Sequence, residues 1–367
     1  MNIKLVILGV ITPAIVYGII TLLHVFIPTD KVKGYVKNEK TGELMNYRVN
    51  GERVLWRCIL LWFVLGIFDI VPFTWLYETR WYGLIGAVAI GLIFSFVVVC
   101  KHPSTGKPFL ADLWFGRIKD AQVGDGFVDA KMWFYMIGAI MLQLNVLSFA
   151  VFHIQTFGVT GNLNYGFLLG CAMLTWFCWD YLSFEKIHLW TYDFIAERTG
   201  FKLAFGCLGF YPYFYSVSLW FTAHLPNPNI QPWFLILVCA VFLIGWTTTR
   251  GANMQKYFFK LDPNKRFLCI RPQSISNGTH TLLVNGYWGA SRHINYLGEI
   301  LQAIAVALAA GYAFNLQYWM VWLYPLYYIG LLFTRAVDDG KVCKAKYGEL
   351  WDQYTKKVKY KVVPFIW

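Results

Sequence analysis

Nine stretches of the chain are long and apolar, and most of its charge falls between them. They are Leu5–Ile27, Val54–Trp75, Tyr82–Cys100, Met132–Ile154, Asn164–Phe184, Leu203–Phe221, Gln231–Thr249, Gly298–Phe314 and Tyr318–Thr334. A helix needs about 20 mainly apolar residues to cross a hydrocarbon core about 30 Å thick. The pattern therefore predicts an all-α fold, a polytopic transmembrane helix bundle of about nine hydrophobic segments. The last two are short and nearly contiguous, which predicts a helical hairpin. The first run follows Met1-Asn2-Ile3-Lys4 and is long for a signal h-region, with no small-residue cleavage site behind it. It reads as a retained first span. Residues 1–367 then form a single integral membrane domain, with seven helices in 1–249 and the hairpin and a polar tail in 250–367.

Composition strengthens this reading. The 367 residues are 57% hydrophobic and 14% charged, with a mean hydropathy of +0.47. Soluble domains run near 45–50% apolar and about 25% charged, so an ordinary globular enzyme, a disordered chain and a disulfide scaffold are all excluded.

Charge orients the bundle, because Lys and Arg mark cytoplasmic loops. Segments 28–53, 101–131, 185–202, 250–297 and 335–367 together hold 29 of the 32 basic residues. The intervening loops 155–163 and 222–230 hold none, and 76–81 holds Arg80 alone. This predicts an amino terminus outside and a carboxyl terminus in the cytosol. The net charge of +12 follows from that topology and from attraction to anionic membrane lipid, with no nucleic-acid partner implied. No CxxC or Cys/His zinc spacing occurs among the eight cysteines, and no two histidines are four apart, so no metal site is expected.

Polar residues inside a bilayer are costly and each needs a reason. Asp69 stands alone in the second segment, where pairing with a cation or backbone group is the simplest role. Asp180, Tyr181, Glu185, His188, Tyr192 and Asp193 crowd one cytosol-facing membrane edge. Structural pairing and chemistry both fit that cluster. Glu299 opens the eighth segment.

A second concentration spans 250–297 and the tail. Arg250, Lys256, Lys260, Lys265, Arg266 and Arg271 supply cations, and Lys256 and Lys260 share a helix face if the seventh helix continues past Thr249. The run Asn285–Glu299 adds glycines, the donors Arg292, His293 and Asn295, and the aromatic faces of Tyr287, Trp288 and Tyr296. Arg335, Asp338, Asp339, Lys344, Lys346, Tyr347 and Tyr354 follow. Phosphates favour Arg and Lys donors, an adenine favours an aromatic face, and ribose hydroxyls favour a carboxylate, so a nucleotide-type cofactor would use them all. Neither GxGxxG nor GxxxxGK[ST] is present.

These residues resemble a known family. Gly286–Glu299, GYWGASRHINYLGE, is similar to the GWWGxxRHPNYLGD signature of the Δ14- and Δ7-sterol reductases. Arg335–Tyr354 is similar to that family's R-x-x-R-D-E-x-x-C-x-x-K-Y-G-x-x-W-x-x-Y, and Arg250–Lys256 to R-x-A-N-x-Q-K. Further matches are Tyr47–Gly51, Gly116-Arg117, Asp129-x-Lys131, the Asp180–Glu185–Asp193 series, Phe205-Gly206 and Pro212–Ser216. The likeness runs from about residue 30 to Trp367. Departures are Ile294 for Pro, Glu299 for Asp, Asp338 for Arg, Gly340 for Glu and Ala196 for His. They touch the cofactor pattern little and bear on which double bond is reduced.

The resemblance implies an NADPH-dependent membrane enzyme that saturates a sterol carbon–carbon double bond, the sterol entering from the bilayer. Residues 1–249 would carry the sterol-facing elements and 250–367 the cofactor-binding half. The implied cofactor residues are Lys256, Lys260, Trp288, Arg292, His293, Asn295, Tyr296, Arg335, Asp339, Lys346, Tyr347 and Tyr354. The membrane would be the endoplasmic reticulum in a eukaryote and the inner membrane in a bacterium. An isolated alkene accepts hydride only after protonation, so a neutral acid in a dry pocket is required. Glu185, Asp180, Tyr181, Asp193 and Asp339 are the candidates. Two rival readings are an isoprenylcysteine-type methyltransferase using S-adenosylmethionine, and a sterol-binding protein without catalysis. Cofactor choice separates the first from a reductase, and turnover separates the second.

Overall fold

The structure is a computed structural model and describes residues 3–38 and 41–367. Lys40, one of the basic residues of segment 28–53, lies outside the described residues, as do Met1 and Asn2. The chain packs as two compact units, Met1–Asn227 and Pro228–Trp367.

Among the described residues, five helices are long and apolar enough to cross a membrane. Three lie in the first unit: α1 (Ile3–Phe26), α3 (Arg80–Lys101) and α5 (Ala130–Phe157). Two lie in the second: α7 (Pro232–Leu261) and the run Leu316–Tyr347, whose regular part is α9 (Leu323–Tyr347). The other expected segments take shorter or broken forms. The second becomes α2 (Gly51–Ile67), the fifth α6 (Tyr165–Ser183) and the eighth α8 (Ile294–Ala309). Asp69 is not inside a helix. It falls in the turn beyond α2, exposed and with φ +53°, so its charge is not buried in the protein and needs no internal partner.

The sixth segment is interrupted. Phe201–Phe205 runs into a π turn at Gly206–Phe210, then into Tyr211–Phe214 and Val217–Thr222. Pro212 has no amide to offer the carbonyl of Leu208, and the Tyr17 hydroxyl donates to that carbonyl instead.

Helix α5 is the centre of the first unit, with Phe134, Ile137, Ile140, Met141 and Leu142 fully buried. Its start is fixed by Asp129, whose side chain accepts the Met132 amide at 3.0 Å as an N-cap. Several polar groups in its interior have partners. Asn145 donates to Pro212 O at 2.9 Å, and His153 contacts Ala223 O at 2.8 Å while accepting the Asn164 amide at 3.0 Å. Close helix crossings rest on small residues. Gly86 of α3 abuts the Val10 carbonyl of α1, and in the second unit Gly245 of α7 and Gly298 of α8 meet backbone to backbone.

Three antiparallel hairpins break the all-helical expectation: β1 (Lys31–Lys37) with β2 (Leu44–Arg48), β3 (Gln122–Val123) with β4 (Val128–Asp129), and β5 (Ser274–Ser276) with β6 (Thr281–Leu283). The last turns at Asn277-Gly278, a dipeptide that favours tight hairpin turns. All three lie in the loops that the charge pattern marks as polar.

Candidate functional site

In the first unit, the edge at the end of α6 folds into two short helical turns, Glu185–His188 and Tyr192–Ile195. They border a small recess, about the size of one water molecule, whose lining includes Tyr135, Tyr181, Glu185, His188 and Phe194. Tyr181 stacks on His188 with centroids 3.9 Å apart, and the His188 Nε2 lies 3.0 Å from the Tyr181 carbonyl. Glu185 is 7% exposed. Its Oε2 accepts the Gly51 amide at 2.9 Å. Burial, with the nearby Glu52 carboxylate adding to it, pushes the Glu185 carboxyl up to about 8 against the pull of the Gly51 amide. Of the acids expected at this edge, Glu185 and Tyr181 share the pocket. Asp180 is buried beside it and Asp193 half-buried on the next turn, and neither lines it.

Gly51 is the contact that the residue pattern did not reveal. A Cβ at this position would collide with Glu185 Oε1 and Leu182, so only glycine brings its amide to the carboxylate. The turn before it is held from the end of α1. Asn50 meets His24 Nδ1 at 2.5 Å and donates to the carbonyls of His24 and Ile27, and Arg48 also donates to Ile27 O. The signal was the Tyr47–Gly51 match. Lys131 is a second surprise. It lies buried at the start of α5, donating to Phe194 O at 3.0 Å and facing Asp120 at 3.5 Å.

The second unit gathers cations and aromatics. Helix α7 continues past Thr249 to Leu261, so Lys256 and Lys260 do share a face. The Lys256 ammonium lies 4.9 Å from the Trp288 ring centre, while the indole N–H donates to Ala252 O at 2.8 Å. Gly286 turns the chain into the signature with φ +66°, where a side chain would strike Gln255. His293 stacks on Tyr296 at 5.0 Å, and the Tyr296 hydroxyl donates to Asp339 Oδ2 at 3.0 Å. Asp339 Oδ2 is also 3.7 Å from His293 Nδ1. Burial, with Lys256, Arg292 and Lys361 adding positive charge, lowers His293 to about 3, so the imidazole is neutral. Asn295 donates to Asn253 at 3.3 Å, and its buried Oδ1 accepts no hydrogen bond among the described residues.

Asp339 thus belongs to the cationic group of the second unit. Arg335 sits one turn earlier on α9, half-buried. Tyr354, on α10 (Glu349–Lys357), is buried with its hydroxyl 3.5 Å from Trp288 O. Lys346 and Tyr347 join a neighbouring aromatic cluster. Tyr347 meets His280 of the β5–β6 hairpin at 5.1 Å and Trp351 at 6.4 Å, with the Lys346 ammonium 5.2 Å from the Tyr347 ring centre.

The chain after α10 clamps the signature. The Arg292 amide donates to Tyr360 O at 3.0 Å, the His293 amide to Lys361 O at 2.8 Å and the Ser291 hydroxyl to Val362 O at 2.8 Å. The Arg292 guanidinium reaches Lys359 O at 3.2 Å. These are main-chain acceptors, which no side-chain motif announces. Among the described residues no group of three His, Cys, Asp or Glu side chains is placed to hold a metal ion.

Membrane-length helices, a buried acid pocket and a separate cation-and-aromatic cluster define a multi-pass membrane protein with features of a cofactor-dependent enzyme. Residues 10–367 match the ergosterol biosynthesis ERG4/ERG24 family, and the chain belongs to that family. It is 32% identical over 268 residues to a Delta(14)-sterol reductase of Arabidopsis thaliana, covering 72% of this chain and 68% of the relative. A Delta(14)-sterol reductase of Methylotuvimicrobium alcaliphilum is 29% identical over 361 residues, with 94% and 80% covered. One from Saccharomyces cerevisiae is 26% identical over 379 residues, with 96% and 82% covered. Relatives with reductase names do not favour the methyltransferase reading.

Proposed function

We propose that this protein is a membrane-embedded sterol reductase that uses NADPH to saturate the Δ14 double bond of a sterol drawn from the bilayer. The observation that carries the cofactor reading is the convergence of Lys256, Trp288, His293, Asn295, Tyr296 and Asp339 from three helices and a loop. Their chemistry fits a dinucleotide phosphate. Lys256 supplies a cation, Trp288 offers an aromatic face, and Asn295 has a buried acceptor to spare among the described residues. Lys256, Lys260, Arg292 and Arg335 would hold the phosphates, with Lys346, Tyr347 and Tyr354 flanking them. When bound, NADPH supplies the hydride.

The protein's own part is the proton. Glu185, protonated at neutral pH, gives its carboxyl proton to one alkene carbon, leaving a carbocation on the other that takes the hydride. The carboxylate left behind is reprotonated from water. Gly51 steadies Glu185 through Oε2, and the Tyr135 and Tyr181 rings offer π-faces to the cation. We place the amino terminus outside and the carboxyl terminus in the cytosol, in the endoplasmic reticulum or a bacterial inner membrane. A cysteine placed in 155–163 should then label from outside, and one in 101–131 should not.

The deciding experiment is expression in yeast strains each lacking one sterol reductase, with sterols profiled by mass spectrometry. Loss of Δ14-unsaturated sterols in the strain deficient in that reduction is the expected result. Correction of another strain would move the double bond, and correction of none would remove the activity.

A further inference from the structure

A short helix at the end of the second membrane-length helix has its polar side turned inward and its apolar side turned out. It is α4 (Phe109–Phe115). Phe109 is 43% exposed, Leu110 75%, Trp114 44% and Phe115 48%, whereas Asp112 is 1% exposed. At 100° per residue, Asp112 lies nearly opposite Leu110 and Trp114. The inward side is fully occupied. Asp112 accepts from Ser104 Oγ at 3.0 Å, the Thr105 amide at 3.3 Å, the Thr105 hydroxyl and Arg117 Nε at 2.7 Å. Arg117 in turn donates to the carbonyls of Val99 and His102, each at 2.9 Å, and so ties the loop to the end of α3. The fold thus fixes which face of α4 looks outward, and that face is apolar.

The outward face continues the exposed apolar side of α3, a helix long and apolar enough to cross a membrane. On α3 the exposed residues include Ile93, Phe96 and Val97, and Phe96 meets Phe109 edge-on with centroids 6.2 Å apart. On the far side Trp114 packs on Phe201 at 5.7 Å. Cations flank the patch at its ends. Lys101 terminates α3, exposed, and the Lys107 ammonium lies 5.7 Å from the Phe115 ring centre. Exposed apolar patches of this kind are rare in water. Trp and Phe beside Lys is the composition of a helix lying at the headgroup boundary.

We propose that α4 is an interfacial helix, its Leu110–Trp114 face immersed in the bilayer that α3 is long and apolar enough to span, with the partly exposed Phe109 and Phe115 at its flanks and Lys101 and Lys107 at the phosphate level. This binding surface goes beyond the reductase reading and does not depend on it. Its partner is the lipid bilayer and not another protein. The Asp112 network serves as the anchor that keeps the helix from rolling.

The test uses the full chain in phosphatidylcholine–phosphatidylglycerol vesicles, with the exposed Cys100 and Cys269 changed to Ser. A nitroxide is attached at Leu110→Cys, and its collisions with oxygen and with a water-soluble nickel complex are compared by power saturation. Ile93→Cys on α3 is the lipid-facing control. The expected result is oxygen colliding more often than nickel at Leu110, in the direction of the Ile93 control. A nickel-dominated site would overturn the proposal by placing α4 in water. An immobile nitroxide shielded from both reagents would overturn it too, by placing a protein surface there.

Discussion

The two candidate regions treat charge in opposite ways. Around Glu185 the first unit buries the carboxyl and meets it with the Gly51 amide, and burial pushes its pKa up to about 8. Around Asp339 the second unit collects polar groups. The carboxylate accepts from Tyr296, lies near His293, and interacts with the Lys256 ammonium. Burial in that region falls on the imidazole, which is held neutral. On the proposed reading, one environment suits a proton donor and the other a site for anions. The difference teaches that residue type alone does not set a role. A carboxyl serves as an acid where nothing neutralises its anion, and as an organiser where donors surround it.

The strongest way to break this comparison is Glu185→Gln. Loss of a general acid typically costs about 100- to 10,000-fold, so turnover should fall by at least about two orders of magnitude while NADPH binding changes little. Single-turnover kinetics beside a cofactor titration would separate the two. Sterol reduction at the wild-type rate would move the acid to Tyr181, Asp180, Asp193 or Asp339.

Arg292→Ala is the matching change in the second unit. Truncating one partner of a desolvated charged hydrogen bond costs about 2–5 kcal/mol, so NADPH affinity should drop roughly thirtyfold or more, read by calorimetry. The guanidinium also meets the Lys359 carbonyl, so some thermal stability should be lost with it. Unchanged NADPH affinity would show that the cation cluster binds something else.

Gly51→Ala sharpens the first region. A methyl group would press on Glu185 Oε1 and Leu182, so turnover should fall by about tenfold, an overpacking cost of roughly 1–3 kcal/mol, with cofactor affinity intact. The smallest effect is on stability against pH. The Glu185 pKa is higher in the folded than in the unfolded chain, so its contribution is complete below the usual carboxylate range and is lost as pH rises through about 8. Thermal scans across that window should show a decline in the wild type that Glu185→Gln lacks. A parallel decline in the variant would assign the effect to another group.

Much of the site was legible from residue types. The shared face of Lys256 and Lys260 followed from helical spacing, and the aromatic and donor content of Tyr287–Tyr296 marked the cation-and-aromatic cluster. The N-cap at Asp129 and the turn at Asn277-Gly278 rest on residue types with local preferences for those positions. Gly51 meeting Glu185, Lys131 meeting Phe194 and the residue 359–362 carbonyls holding Ser291–His293 were not readable. Each joins segments more than 60 residues apart, and all three rely on a backbone amide or carbonyl.

The sequence by itself determined that this is a membrane protein built of apolar helices, because burying so many apolar residues leaves few other solvents for them. It also determined the family, because an ordered set of polar residues survives between those helices. Tertiary structure decided which acid keeps its proton, which histidine stays neutral and where Asp69 falls. Those outcomes depend on local burial and on which groups surround each charge, and only the folded chain brings these together.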